Sequence, residues 1–254
     1  MMGLFRADPV AARPPRRFLK LPALPAAIYA VGDIHGCIDQ LRAAEARILA
    51  DGADLSGQKL IIALGDVIDR GPDSAAVMDH LSSPAPAGFT RLTVCGNHED
   101  MFLRFLDDPP ANADWLDFGG AETLRSYGVK VGIDSNSRGR LREIARDIDA
   151  VLPRAHRAFL EDLPLGLLVG DICFAHAAYD FGMPPEKQSS DVILWGRGDE
   201  DARENGDGLL VHGHYVVDNP EVTEKRINID TGAYMTGRLS TLKITGPDGS
   251  ISFL

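Results

Sequence analysis

The sequence predicts an α/β domain, and three observations carry that reading. Short apolar runs at 27–31, 60–64 and 92–95 each end at a glycine: Gly32, Gly65 and Gly96. Between them apolar residues recur at helical spacing, so strand and helix alternate as in parallel sheets with right-handed crossovers. Beyond a long helical stretch, the pattern returns to short strands.

Residues 1–26 are rich in Pro, Ala and Arg, with Arg6, Arg13, Arg16 and Arg17. They read as a flexible N-terminal arm or a surface wrap ahead of a single domain over 27–254. Ala27-Ile28-Tyr29-Ala30-Val31 is the first buried strand. Ile38, Leu41, Ala44 and Ile48 then mark a helix that stops at Gly52. Leu60 to Leu64 is the second strand, followed by a helix around Ser74 to Leu81, and Leu92 to Cys95 is the third. From about 101 to 163 the chain reads as a helical insertion, with Pro153 opening a helix that carries Phe159 and Leu160. The stretches 132–139 and 198–208 are rich in Gly and Asp and read as loops. Strands follow at 167–169, 172–175, 209–211, 227–229, 239–244 and 251–253.

Composition bounds the class. The 254 residues carry 26 Lys and Arg against 37 Asp and Glu, a net charge of −11. That excludes nucleic acid bound over a broad basic surface, while leaving room for a phosphorylated ligand whose charge is met by metal ions. The three cysteines, Cys37, Cys95 and Cys173, lie far apart. They give neither a disulfide framework nor a metal knuckle, and a reducing cytoplasm is the expectation. No apolar run reaches the roughly 20 residues of a membrane span. Oligomeric state is not legible.

The chemistry sits at the strand ends. The first strand runs into Gly32-Asp33-Ile34-His35-Gly36, the second into Gly65-Asp66-Val67-Ile68-Asp69-Arg70-Gly71, and the third into Gly96-Asn97-His98-Glu99. The carboxyl ends of parallel strands share one edge, where ligands bind, so Asp33, His35, Asp66 and Asn97 should converge. Taken singly, Asp-x-His is an ordinary surface pair and Asn-His-Glu an ordinary helix cap; three such fragments in successive βα units are a site. His176 closes the run 172–175, and Gly213-His214 follows the run 209–211, where two more strands should meet the same edge. Mixed oxygen and nitrogen donors suit Mn, Fe or Zn better than Ca.

In this order the motifs resemble the PPP-type branch of the calcineurin-like phosphoesterases, which includes bacterial serine/threonine protein phosphatases and dinucleoside tetraphosphatases. The likeness covers roughly 28–242, and the Asp66-to-Gly71 element is its most specific part. Ile193-Leu194-Trp195-Gly196-Arg197 and Asn228-Ile229-Asp230-Thr231-Gly232-Ala233 resemble the bacterial protein-phosphatase branch.

The resemblance implies a sandwich of two mixed β-sheets flanked by helices, holding two divalent ions, expected to be Mn²⁺. Asp33 and His35 would bind one ion, Asn97, His176 and His214 the other, and Asp66 would bridge them. Two ions about 3.5–4 Å apart lower the pKa of a water and clamp an in-line displacement at phosphorus. His98 would protonate the leaving oxygen, with Asp69 orienting its ring; Asp69 alternatively is a turn residue or the ion-pair partner of Arg70. Arg70 and Arg197 would bind phosphoryl oxygens. In the wider superfamily the last His motif is Gly-His-x-His; here the second position is Val216, so His212 is left out of the metal set.

The implied reaction is hydrolysis of phosphomonoesters, phosphoserine or phosphothreonine in proteins first, with a dinucleoside polyphosphate as the alternative. A non-catalytic metal-binding module is disfavoured because His98 and Asp69 are both kept. Some residues depart from the family pattern. Cys95 stands where many protein phosphatases have Arg before Gly-Asn-His-Glu, and reads as a small buried thiol. Ala177 follows His176 in place of Gly, and Tyr215 follows His214 in place of Thr.

Overall fold

A computed structural model of the chain describes residues 15–132, 137–196, 207–246 and 249–254. In chain order the elements are β1 (Phe18–Leu21), β2 (Ala27–Val31), α1 (Ile38–Gly52), β3 (Lys59–Ala63), α2 (Ser74–Ser82), β4 (Phe89–Thr93), α3 (Asn97–Asp107), a 3₁₀ turn (Ala113–Leu116), α4 (Gly120–Ser126), α5 (Arg138–Val151), α6 (Arg154–Asp162), β5 (Gly166–Val169), β6 (Ile172–Ala175), a second 3₁₀ turn (Pro185–Lys187), α7 (Ser190–Trp195), β7 (Leu209–His212), β8 (Glu221–Val222), β9 (Arg226–Asn228), α8 (Ala233–Thr236), β10 (Thr241–Thr245) and β11 (Ser250–Phe253).

The strands form two mixed sheets, one ordered β1-β5-β6-β7-β9-β8 and the other β11-β10-β2-β3-β4. The three glycine-ended strands β2, β3 and β4 pair in parallel, as their spacing predicts. Strand alternation divides their residues between two cores. Ile28, Ala30, Leu60 and Ile62 face the other sheet and pack with Val169, Phe174, Val211 and Ile227. Ala27, Tyr29, Val31 and Ile61 face helix residues such as Ile48, Val77 and Met78. Burial on both sides makes β2 a continuous apolar run in sequence. Among the described residues, no helix is long and apolar enough to cross a membrane.

Two expectations need correction. Phe18–Leu21 is not arm but an edge strand, paired in parallel with β5. It is held because Arg16 Nη1 donates to the Leu163 carbonyl at 2.7 Å, Leu165 N–H donates to the Arg17 carbonyl at 2.9 Å, and the Phe18 ring meets Tyr179 edge-on at 5.2 Å. Residues 1–14 lie outside the described residues. The third strand ends at Thr93, short of Cys95. Val94 N–H still donates to the Ala63 carbonyl of β3 at 3.0 Å, and Cys95 N–H, on the opposite side, donates to the Pro164 carbonyl at 2.8 Å. Between β4 and β5 every described element is helical. Most of the two Gly/Asp-rich loops, at 133–136 and 197–206, lies outside the described residues.

Candidate metal centre

The loops after β2, β3, β4, β6 and β7 bring the sequence-predicted donors together. His35, Asp66 and His98 offer ligand atoms within 4.8 Å of one another, and so do Asp66, His176 and His214. Asp66 belongs to both groups. Asn97 Oδ1 lies 2.9 Å from His176 Nε2, and His176 Nε2 lies 3.1 Å from His214 Nδ1. Asp33 Oδ2 accepts from the His214 backbone N–H at 3.1 Å, while its Oδ1 is buried with no partner.

The loop backbones are unusual. Among the described residues, the non-glycine residues with left-handed backbone are His35 (φ 43°), Asp66 (46°), Asp69 (70°), Arg70 (63°) and His214 (70°). All five are site residues. Such conformations cost about 1–3 kcal/mol each and persist where surrounding structure enforces them. Glu99 supplies much of that enforcement. Its carboxylate accepts from the N–H groups of Gly96, Asp66 and Val67, each at 2.9 Å, and of Ile68 at 3.3 Å. Burial and the charge of Asp66 push Glu99 up to about 7. Two glycines permit close approach: a Cβ on Gly213 would lie 1.9 Å from Asp33 Oδ1, and one on Gly96 would lie 2.1 Å from Asp66 Oδ1.

The donor set fits divalent metal. His35 Nδ1 donates to the Ile68 carbonyl at 2.8 Å, and His176 Nδ1 to the Leu64 carbonyl at 2.9 Å. These bonds fix the tautomers and leave each Nε2 unprotonated, a lone pair of the kind that binds metal. The Asn97 amide sits among His176 Nε2, His214 Nδ1 and Asp66: turned one way its NH₂ donates to them, turned the other its oxygen joins them as an acceptor around a shared cation. Burial lowers His35 to about 3 and His214 to about 3, so both rings are neutral. Burial drives Asp66 upward, but the histidines around it outweigh that and lower it, and of these His98 is the ring whose own pKa is raised. Burial, then Asp230 and Asp66, push Asp33 well above the usual range. Protein groups alone thus leave Asp33 unstable as an anion, and a cation is what this cluster of acceptors calls for.

His98 is built differently. Its Nδ1 donates to Asp69 Oδ2 at 2.7 Å, and its Nε2 is buried with no hydrogen-bond partner, 3.7 Å from Asp66 Oδ2. Burial depresses His98, but Asp66 and Asp69 outweigh it and raise it, favouring the imidazolium. Asp69 is neither a free turn residue nor the partner of Arg70. It also accepts from Trp115 Nε1 at 2.8 Å and from Thr123 Oγ1 at 2.5 Å. Trp115 and Thr123 come from the helical insertion, which therefore anchors the carboxylate that aims His98. Arg70 Nη1 lies 3.0 Å from His35 Nε2, and its guanidinium sits 5.0 Å from the Tyr234 ring centroid. Arg197 lies outside the described residues. His212 is in neither donor group; its Nδ1 donates to the Gly213 carbonyl at 3.0 Å.

With this geometry in hand, comparison with known proteins is direct: the calcineurin-like phosphoesterase model matches residues 26–237. The chain belongs to the calcineurin-like phosphoesterase family. It is a hydrolase acting on phosphate esters or anhydrides, in a family that uses divalent metals. It is 28% identical to an asymmetrical bis(5′-nucleosyl)-tetraphosphatase of Bacillus velezensis, covering 83% of this chain and 86% of that one. It is 29% identical to serine/threonine-protein phosphatase 2 of Escherichia coli, covering 85% and 92%. A crystal structure provisionally named a diadenosine tetraphosphatase shares the fold, with 21% identity, a TM-score of 0.61, and coverage of 94% and 97%.

Sequence reasoning missed Glu99, Trp115 and Thr123 as supports, and Asp230, whose Oδ2 is buried without a partner. It also missed an aromatic rim. Phe118, Trp195 and Tyr215 are 43%, 38% and 38% exposed. Their ring centroids lie 6.4 Å from His98, 6.1 Å from His214 and 4.5 Å from His214, respectively.

Proposed function

We propose that this phosphoesterase hydrolyses the phosphoanhydride chain of a dinucleoside polyphosphate. Convergence of His35, Asp66, His176 and His214, with Asp33 held to the His214 N–H and Asn97 beside His176, next to the His98–Asp69 pair supports the hydrolytic chemistry. The exposed rim of Phe118, Trp195 and Tyr215 around His98 and His214 carries the choice of substrate. Flat apolar rings at a phosphate-cleaving centre suit a substrate with aromatic bases.

Asp33 and His35 would hold one ion, Asn97, His176 and His214 the second, and Asp66 both; manganese suits this mixed set. Such ions supply Lewis-acid polarisation of phosphoryl oxygens and water of lowered pKa. The chain's own groups do the rest. Arg70 turns from His35 to the phosphoryl oxygens, where a guanidinium offers paired donors. Water attacks phosphorus in line with the bridging oxygen, that P–O bond breaks, and the proton shed by the water passes to solvent. His98 Nε2 gives its proton to the departing oxygen, while Asp69 holds the ring through Nδ1. Arg197 is kept as a second phosphoryl-binding cation.

Hydrolysis of phosphoserine or phosphothreonine in proteins is the second reading. The 29% identity to serine/threonine-protein phosphatase 2 and the 193–197 segment favour it. The structure offers it no added cation at position 95, since Cys95 is fully buried. The test is a substrate panel with metal-free and Mn²⁺-reconstituted protein: diadenosine tetraphosphate, a phosphothreonine peptide and p-nitrophenyl phosphate. Highest kcat/KM on diadenosine tetraphosphate, lost on chelation and regained with Mn²⁺, is expected. Preference for the phosphopeptide moves the assignment to the second reading. Full activity in metal-free protein overturns both.

A further inference from the structure

A cavity of about 190 Å³ opens beside the metal centre, lined by Trp195, Trp115, Asp100, Arg104, Asn112 and Asp114 among others. We infer that it is a subsite for one nucleobase of the substrate; this rests on the nucleotide reading above.

Three features carry the inference. The first is position. Trp195 closes α7, and its carbonyl accepts from the Tyr215 hydroxyl at 3.3 Å. Its indole lies 6.1 Å from the His214 ring and 6.3 Å from Phe118, which reaches to 6.4 Å from His98. A group in the cavity is thus within one short linker of both the metal donors and the acid. The cavity floor is part of the catalytic frame, because Trp115 donates to Asp69.

The second is size. The volume is well below the roughly 300–1,000 Å³ of pockets that enclose a whole drug-sized ligand. It takes one ring system of a larger molecule whose phosphates lie elsewhere. Trp195 is a part-exposed aromatic wall for stacking, which every base tolerates through its π-face.

The third is polarity. Asn112 spends its Nδ2 on the Arg104 and Asp108 carbonyls, at 3.1 and 2.9 Å, so the group it can offer is the acceptor Oδ1. Asp114 is exposed and offers a carboxylate. Arg104 Nε is paired with Asp100 Oδ2 at 2.6 Å and so is not set out for a phosphate. With Asp100 neutralised by Arg104, the Asp114 carboxylate is the charge left to repel the phosphate end of a nucleotide and to accept from an exocyclic amino group of its base. A cationic peptide side chain is the rival occupant, and the phosphopeptide arm of the experiment below separates it from a base. Adenine, guanine and cytosine carry the amino group, and uracil does not.

The experiment uses the Mn²⁺-loaded full chain. KM is measured for diadenosine tetraphosphate, diuridine tetraphosphate, inorganic tetraphosphate and a phosphothreonine peptide, in wild type, Trp195→Ala and Asp114→Asn. Loss of a base–aromatic stack should raise the ratio of KM for diadenosine tetraphosphate to that for inorganic tetraphosphate about 5- to 150-fold in Trp195→Ala. Asp114→Asn, an exposed change that leaves the core alone, should shrink the preference for diadenosine over diuridine tetraphosphate. Adenosine should quench fluorescence in wild type more than in Trp195→Phe, since the chain has only 2 tryptophans and Trp115 is buried. If wild type cleaves diadenosine tetraphosphate and both variants keep its KM and base preference, the subsite is wrong and the nucleotide reading stands. If Trp195→Ala raises KM only for the phosphopeptide, the cavity holds a peptide side chain and the inference is overturned. If wild type cleaves no nucleotide, the reading and the subsite fall together.

Discussion

Replacing Asp69 with Asn separates orientation of the acid from integrity of the fold. Oδ2 of Asp69 accepts from His98 Nδ1 at 2.7 Å and from Trp115 Nε1 at 2.8 Å; Oδ1 accepts from Thr123 Oγ1 at 2.5 Å. An Asn amide can put its oxygen at the Oδ2 position and keep both ring donors. Its NH₂ then faces Thr123, whose hydroxyl can turn to accept. The number of hydrogen bonds survives; the charge does not. Bonds to a charged acceptor, worth about 1.5–3 kcal/mol each, become neutral ones worth about 0.5–1.5 kcal/mol. In compensation, a buried carboxylate whose pKa burial has raised is no longer desolvated. The two changes oppose, so stability should move by no more than about 1–2 kcal/mol. Catalysis has no such compensation, because the imidazolium loses its counter-charge. The ceiling on the loss is the about 10²–10⁴-fold that general acid catalysis supplies. The assay is kcat over a series of aryl phosphates from p-nitrophenol to phenol as leaving group, with metal content and thermal midpoint measured alongside. The loss should deepen as the leaving group worsens. An equal loss across the series, or one that tracks metal content, would refute His98 as the acid and Asp69 as its aim.

Gly213→Ala should lower metal affinity about 10–100-fold, the usual cost of disturbing groups that orient ligands, because its Cβ would meet Asp33 Oδ1 at 1.9 Å; elemental analysis after dialysis against graded Mn²⁺ reads this directly. Cys95→Arg should destabilise and leave KM for a phosphopeptide unimproved, since the thiol is fully buried and overpacking costs about 1–3 kcal/mol or more; a folded variant with improved KM would show that position 95 faces substrate. Glu45 accepts from Arg91 Nη2 at 2.6 Å and meets His80 Nε2 at 2.7 Å. Burial raises its pKa, but His80 and Arg91 outweigh that and hold it below its ordinary value. The stability it gives is therefore present above the ordinary carboxylate range and lost as pH falls through the depressed value. Glu45→Gln should cost about 1–3 kcal/mol near neutrality by urea melts and almost nothing in acid.

What could be read in the sequence was what local pattern encodes. A strand buried on both faces has no polar positions, so Ala27–Val31 stands out, and a chain that must turn sharply at the strand end shows a glycine. Asp33, Asp66, Asn97 and His214 were legible for that reason, each directly following such a glycine, while His35 was legible from its spacing to Asp33 and His176 only from its place at the end of an apolar run. Phe18–Leu21 was not, because an edge strand is only partly covered and its neighbours Arg16 and Arg17 read as solvated. Trp115 and Thr123 were not, because they meet Asp69 across 46 and 54 residues. No spacing rule links a helical insertion to a strand-end loop. The aromatic rim escaped for the same reason: Phe118, Trp195 and Tyr215 lie in three separate segments, and only the sandwich gathers them.

Backbone strain in this fold is concentrated at the site. Left-handed backbone at His35, Asp66, Asp69, Arg70 and His214 is a cost with no local remedy, since under the proposed function each side chain has a role that glycine could not fill. The folded chain offsets that cost in three places. Glu99 gathers four backbone N–H groups of the Asp66 and Gly96 loops. Ser74 Oγ and Thr123 Oγ1 both accept from the Asp69 N–H, at 3.0 and 2.9 Å. Asp33 Oδ2 accepts from the His214 N–H. All three supports are polar groups from a different loop or helix, so no loop of the site holds its shape alone. The helical insertion is thus as much a part of the catalytic centre as the strand ends, although it contributes none of the predicted metal donors. A change at Thr123 should disturb His98, whose ring it never touches, while leaving His176 and His214 in place.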